Sequence, residues 1–251
     1  MTTDQHQTGN PAFSPAAYTA VRDSRAATMT VPGTAFKALV YTAVLVAAAV
    51  GGWTSVTPDP SGRVVWPGWT WWVGLAAFAF AMITVVKPQT AAITGLVYAI
   101  LQGTMLGAIS AIYEVRFDGV VVQAVILTIA VLVGTLVLYL LGLVRATGRL
   151  VRGVIVAMTG LVLLYLFGWI MSLFGVDAAF WARPTSFGIF FSIVVVGLAA
   201  LNLVLDFDMI RRFSEAGAPR NMEWYAAFGL VLTLVWLYLE VLRLIALTRS
   251  R

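Results

Sequence analysis

Residues 234–247 (LVWLYLEVLRLIAL) place two charged side chains, Glu240 and Arg243, among twelve apolar ones. The run is apolar enough to lie in lipid, where a charged residue at the centre of a spanning helix costs about 2.5–3.5 kcal/mol on insertion scales. Such a residue normally faces protein or water and is a functional candidate. We therefore expect the rest of the sequence to supply partners for Glu240.

The whole chain has the composition of a membrane protein. Of its 251 residues, 61% are hydrophobic and 11% are charged, whereas soluble proteins average about 45–50% apolar and 25% charged residues. The connections between apolar runs are too short for a second folded domain. We expect a flexible polar tail over residues 1–34 and one membrane domain over residues 35–251, with the lipid bilayer as its partner.

Seven apolar runs follow the tail, each close to the roughly 20 residues that cross a hydrocarbon core. They predict an all-α protein with seven transmembrane helices, at residues 36–52, 69–86, 91–113, 119–144, 153–174, 186–210 and 224–247. The end of the first connection and the start of the second run contain four tryptophans, which predict an aromatic anchor at the membrane interface. These are Trp66, Trp69, Trp71 and Trp72.

The basic residues indicate how the helices are oriented. With the N-terminus inside the cell, ten basic residues of the tail, the connections and the span ends lie on the cytoplasmic side and five on the other. The positive-inside rule then predicts a cytoplasmic N-terminus and an external C-terminus in the cell membrane. Because these basic residues are spread over the tail and short connections, we do not expect a nucleic-acid partner.

Catalysis and cofactor binding have little support in the sequence. The chain has no cysteine and a single histidine, His6, in the tail, which excludes thiolate metal sites and imidazole bases within the membrane domain. It also lacks an HExxH motif and a glycine-rich phosphate loop. We therefore predict that the protein is not an enzyme and carries no cofactor.

The sixth apolar run contains two acids that are not equivalent. On a helix, Asn202 and Asp206 share a face with Ser192 and Ala199, whereas Asp208 points almost oppositely to Asp206. Asp206 continues a polar face that runs into the bundle and is the predicted functional carboxylate. Asp208, which is followed by two arginines, is expected to face the cytoplasmic headgroups.

The third run has one narrow face of small residues that ends in an acid. Gly103, Gly107, Ser110 and Glu114 fall within an arc of about 60°, and the glycines are interpreted as packing positions that let two helices approach closely. Glu114 is expected to be a solvated residue at the outer rim. Gln102 lies elsewhere on this helix and is a candidate buried hydrogen-bonding group.

Two arrangements of Glu240 remain open from the sequence. Glu240 and Arg243 are three residues apart and can touch on one helix, which would make an internal ion pair. Alternatively, Asp206 and Arg243 compete as partners of Glu240, so that protonation changes the packing. A calculation of depth shows that contact with Asp206 requires the spanning part of the last helix to begin near Gly229, or the sixth helix to be bent or deeply set.

The sequence resembles a known family over nearly its whole length. NPAF at 10–13, QGTMLGAISAIYE at 102–114, LNLVLDFDMI at 201–210 and LVWLYLEVLRLIAL at 234–247 are similar to the bacterial branch of the Bax inhibitor-1 (transmembrane BAX inhibitor motif) family. The resemblance implies a seven-helix bundle with the last helix at its centre. It also implies a pH-sensitive calcium leak in which Asp206 and Glu240 share a proton or hydrogen bond. The family usually has aspartate where this chain has Glu240.

These observations lead to one functional hypothesis and one alternative. The hypothesis is a pH-gated cation leak, with Ca²⁺ passing near Asp206 and Glu240, because hard cations bind the carboxylate, amide and hydroxyl oxygens that this face offers. The alternative is a non-conducting protein that binds or regulates a membrane protease or another membrane complex. Its contact surface would be the tail together with the connection at residues 211–221.

Overall fold

The computed structural model describes residues 28–57, 66–176 and 178–250. Within these ranges the chain forms α1 (Val31–Thr54), α2 (Trp69–Val86), α3 (Ala91–Arg116), α4 (Val120–Leu140), α5 (Gly148–Leu173), α6 (Ser186–Glu215) and α7 (Met222–Arg249). Each of the seven helices is long and apolar enough to cross a membrane. The predicted all-α fold with seven transmembrane helices is confirmed, and the chain is a multi-pass membrane protein.

The helices extend beyond several of the predicted spans. α1 and α5 begin five residues earlier than predicted, and α6 ends five residues later. Hydropathy marks only the apolar part of a helix, whereas backbone hydrogen bonding continues through polar turns at each end. The four tryptophans lie at the start of α2 and just before it, and Trp71 and Trp72 are 75% and 74% exposed, consistent with an interfacial anchor.

Threonine side chains cap three of the helices. The Thr30 hydroxyl accepts a hydrogen bond from the Gly33 N–H at 3.0 Å, and Thr147 and Thr185 make the same contact with the residue three positions on. Pro32 lies in the first turn of α1, where a missing N–H costs nothing. These caps set where α1, α5 and α6 begin.

Glycines allow α1 and α3 to pack backbone against backbone. A methyl group added at Gly103 would overlap the Leu45 carbonyl, and one added at Gly107 would overlap the Ala49 carbonyl. Only glycine fits at these positions, as expected for small residues at a close contact between membrane helices. The interpretation of this face as a packing surface is confirmed.

The last helix has extensive contacts with the rest of the bundle. α7 packs against α1, α3, α4 and α6 and has the largest buried share of the seven spans. Leu237, Val241 and Leu242 are fully enclosed. This packing places the charged residues of α7 among other helices, and the central position that the resemblance implies stays a prediction.

Residues before the predicted start of the membrane domain already pack against it. Met29 is 1% exposed, and its N–H donates to the Ala218 carbonyl at 2.7 Å, in the connection between α6 and α7. Residues 28–30 are therefore part of the folded protein, because Met29 is buried against Ile210 and Ala226. Residues 1–27 of the predicted tail, with His6 and the motif at 10–13, lie outside the described residues.

Candidate functional site: the buried charges of α6 and α7

Asp206 lies where the middle of α7 faces α6. The Asn202 side chain donates to the Thr233 hydroxyl at 2.9 Å, and Thr233 also interacts with the Asp206 carboxyl group. The second carboxyl oxygen of Asp206, Oδ2, is buried and has no hydrogen-bond partner in the described part of the chain. The structure therefore brings the predicted residues Asn202 and Asp206 together and adds Thr233 to the site.

An unpartnered carboxylate oxygen inside a membrane bundle is energetically costly. Burying a polar atom without a hydrogen bond costs about 1–3 kcal/mol by protein mutational data, and burying a charge costs more. A proton on the Asp206 carboxyl group would relieve this cost, as would a cation bound beside it. The site is therefore chemically suited to respond to either species.

Glu240 is held on both of its oxygens by residues of α5 and α7. The Tyr165 hydroxyl donates to Oε1 at 2.8 Å, and Arg243 Nη1 donates to Oε2 at 3.3 Å. Arg243 also donates to the Tyr165 hydroxyl at 2.9 Å and to the Trp181 carbonyl at 2.8 Å. Both charged side chains are largely buried, so this cluster neutralises Glu240 internally.

The guanidinium group of Arg243 has a further neighbour on α6. Its central carbon lies 5.8 Å from the ring centroid of Phe191, within the range of a cation–π contact. Its Nε is buried and has no hydrogen-bond partner among the residues that the structure describes. We call Glu240, Arg243, Tyr165 and Trp181 the outer cluster, after its place on the predicted external half of the bundle.

Asp206 and Glu240 do not touch. Asp206 interacts with Thr233, and Glu240 is seven residues further along α7, which corresponds to about 10 Å along the helix axis. Of the two arrangements left open by the sequence, the structure contains the ion pair with Arg243. The physical reason is that this part of α6 lies level with Thr233 of α7, so Glu240, two turns further along α7, is too far away for a shared proton in this conformation.

Asp208 is more enclosed than expected for a side chain that faces the headgroups. Asp208 is only 7% exposed, and its two oxygens accept from Arg211 at 2.9 Å and from Arg212 at 2.5 Å. The Tyr139 hydroxyl lies 3.5 Å from one of these oxygens. The cause is α4, whose C-terminal end packs over α6 and covers Asp208, while the two arginines extend to the surface.

Of the two candidate residues on α3, Glu114 has a structural role and the Gln102 side chain makes no hydrogen bond within the described residues. Glu114 is half-buried and accepts the N–H groups of Gly119 at 2.6 Å and Val121 at 2.9 Å, so it caps the start of α4. Glu114 is therefore less solvated than expected, and its place at the outer rim stays a prediction. Gln102 is also half-buried, and its side chain has no hydrogen bond to any residue in the described ranges.

The structure contains a further buried acid that is not among the site residues predicted from the sequence. Glu223, at the start of α7, is 2% exposed and forms an ion pair with Lys37 of α1. The N–H and the hydroxyl of Thr30 each donate to Glu223 Oε1 at 2.9 Å. The signal that could have revealed it is Lys37, a cation close to the start of an apolar run, which needs an anion nearby.

The described residues contain no group of three or more His, Cys, Asp or Glu side chains that could hold a metal ion. The oxygens around Asp206 come instead from one carboxylate, one hydroxyl and one amide. Such a set provides fewer ligands than the six to eight oxygens that Ca²⁺ takes in a tight site. It is better suited to transient contact with a cation than to storage.

A protein-family model described as Bax inhibitor 1 like matches residues 10–250 of the chain. The match covers every helix of the bundle. No curated protein and no solved structure matches the chain.

Proposed function

This chain belongs to the Bax inhibitor 1 like family, and from that premise we propose that it is a pH-sensitive cation leak that passes Ca²⁺. The family agrees with the resemblance seen in the sequence, while the bacterial branch stays a prediction. The observation that carries the proposal is the unpartnered Oδ2 of Asp206, buried between α6 and α7. An incompletely satisfied acid within a membrane bundle is a functional candidate by default.

The described conformation fits a closed state. On the predicted outer half, the outer cluster joins α5 to α7 and pairs the Glu240 carboxylate with Arg243, so it offers an approaching cation no free carboxylate. On the predicted inner half, Asp208 binds Arg211 and Arg212 under the end of α4. In our proposal, cations reach Asp206 only after the helices around it have moved apart.

The proposed direction of the pH response follows from the charge of Asp206. When its carboxyl group is protonated, the site is neutral, does not attract a cation and tolerates close packing of α6 against α7. When the proton is lost, the carboxylate is buried with an unpaired oxygen, which favours hydration of the site and binding of a cation. Flux is therefore expected to increase as the pH rises from 6 to 8.

The test is Ca²⁺ uptake into liposomes that contain the purified protein, measured between pH 6 and 8. Asp206→Asn removes the titrating group while keeping the shape, and we expect low flux that no longer depends on pH. The matched control is Glu215→Gln, which removes an acid from the exposed end of the same helix and should keep the wild-type pH profile. A wild-type profile in Asp206→Asn would refute the proposal.

One observation favours the alternative of a membrane-interaction protein. Thr28 pairs with Pro219 and Met29 with Ala218, so the end of the tail lies directly against the connection between α6 and α7. The two segments that the alternative would use for binding a partner are therefore neighbours. Deletion of residues 1–27 separates the two proposals. A leak keeps its flux after the deletion. An interaction protein no longer co-purifies with its partner after the deletion, and it shows no flux in either the full-length or the shortened form.

A further inference from the structure

A polar pocket of about 480 Å³ lies where the ends of three helices meet. It is lined by residues at the C-terminal end of α4, in the connection to α5 and near the C-terminal end of α6. Its charged residues are Arg145, Arg211, Arg212 and Asp208. Three arginines and one aspartate give this lining a net charge of +2 at neutral pH.

The single acid of the pocket does not use all the donors of the arginines. Asp208 accepts from Arg211 and Arg212, whereas Arg145 uses its Nε for the Gly142 carbonyl at 3.1 Å. The two terminal nitrogens of Arg145 and Nη1 of Arg212 have no hydrogen bond to residues 28–57, 66–176 or 178–250. Guanidinium groups with free donors are well suited to phosphate oxygens.

The start of α5 adds to the positive potential of this pocket. Thr147, which lines the pocket, is the N-cap of α5, and its side chain accepts only the Leu150 N–H. The other N–H groups of this first turn lie at the positive end of a helix of 26 residues. A helix N-terminus next to three arginines strengthens binding of an anion.

The surroundings of the pocket are apolar. Leu140, Leu141 and Leu143 are 72%, 67% and 70% exposed, and they lie beside the pocket at the end of a spanning helix. A ligand that occupies both regions must have an anionic group attached to a hydrocarbon chain. Basic pockets between membrane helices at the cytoplasmic surface are suited to such lipids.

We propose that this pocket binds the phosphate group of an anionic phospholipid, with its acyl chains lying along the exposed leucines at the end of α4. The site is separate from Asp206 and does not depend on whether the protein conducts cations. Because Arg211 and Arg212 also hold Asp208, the bound headgroup contacts the residues that close the predicted inner end of the bundle.

The test measures lipid binding to the full-length protein in detergent micelles by native mass spectrometry. Phosphatidylglycerol should bind at least tenfold more tightly than phosphatidylcholine. Arg145→Gln, which leaves the contacts of Asp208 intact, should weaken the binding of phosphatidylglycerol about fivefold, the equivalent of about 1 kcal/mol per basic residue near a membrane surface. Combining it with Arg212→Gln should weaken binding further.

Arg152→Gln is the matched control, because Arg152 lies on the same side of the bundle, is exposed and binds the Gly148 carbonyl of its own helix. It should change the affinity less than twofold. Equal binding of the two lipids, or equal affinity of Arg145→Gln and the wild-type protein, would overturn the proposal. Inorganic phosphate is the third probe, and binding as tight as that of phosphatidylglycerol would overturn the assignment to a lipid.

Discussion

Replacing Tyr165 with phenylalanine should weaken the attachment of α5 to α7. The Tyr165 hydroxyl donates to Glu240 and accepts from Arg243, and both partners are charged. α5 has the smallest buried share of the seven spans, and among the described helices its main packing partner is α6. The hydroxyl therefore provides an unusually large part of the contact between α5 and α7.

The expected loss in the free energy of unfolding of Tyr165→Phe has an upper and a lower bound. Hydrogen bonds to charged groups contribute about 1.5–3 kcal/mol each in soluble proteins, whereas hydrogen bonds between membrane helices average about 0.6 kcal/mol and reach about 1.7 kcal/mol. Glu240 and Arg243 still hold each other after the change, and Arg243 keeps the Trp181 carbonyl. We expect the two lost bonds to lower the free energy of unfolding by about 2 kcal/mol, roughly a 30-fold change in the equilibrium constant.

The assay is reversible unfolding of Tyr165→Phe in mixed micelles by titration with sodium dodecyl sulfate, followed by circular dichroism. The control is Tyr225→Phe, because the Tyr225 hydroxyl has no hydrogen bond to any residue in the described ranges, and it should lose less than about 0.5 kcal/mol. A second arm combines Tyr165→Phe with Glu240→Gln, and the two effects should not add, since both remove the same contact.

Two results would refute this reasoning. The first is a loss of stability no larger in Tyr165→Phe than in the Tyr225 control, which would show that the hydroxyl does not hold α5. The second is strict additivity of the Tyr165 and Glu240 variants. If the protein is also a leak closed by the outer cluster, Tyr165→Phe should raise Ca²⁺ uptake at constant pH, which liposome assays can measure separately.

Two further predictions concern packing and topology. Gly107→Ala should destabilise the protein by about 1–3 kcal/mol in the same unfolding assay, because its methyl group would overlap the Ala49 carbonyl. The control is Gly134→Ala, where a methyl group meets open space, and it should be neutral or stabilising. Equal effects of the two substitutions would contradict the close approach of α1 and α3. Because the chain has no cysteine, single cysteines report orientation directly: a membrane-impermeant maleimide should label Ser55→Cys in intact cells but Ala216→Cys only after permeabilisation. The opposite labelling pattern would reverse the predicted topology.

The fold was largely predictable because hydropathy is a property of contiguous sequence. An apolar run of the right length has few alternatives to a helix in lipid. The sequence therefore predicts each end of the seven helices with an error of no more than five residues. The contact between Glu240 and Arg243 was also within reach, since residues three apart on a helix are neighbours.

The partners supplied by other helices were not predictable in this way. A helical projection shows that Asp208 points away from Asp206, but it does not show that α4 covers Asp208. Tyr165 lies 75 residues before Glu240, and nothing in the spacing connects them. The capping role of Glu114 was not predictable because its partners are backbone N–H groups, which occur throughout any sequence and give no signal of their own.

The ion pair between Lys37 and Glu223 has a consequence for the order in which the protein is assembled. Its two members are 186 residues apart, so at about 5–20 residues per second the ribosome needs roughly 10–40 s to make the second after the first. Throughout that time Lys37 lacks its anion, and the Thr30 donors lack their acceptor. α1 therefore reaches its final environment only when α7 arrives, and a nascent chain that stops short of α7 leaves Lys37 unpaired.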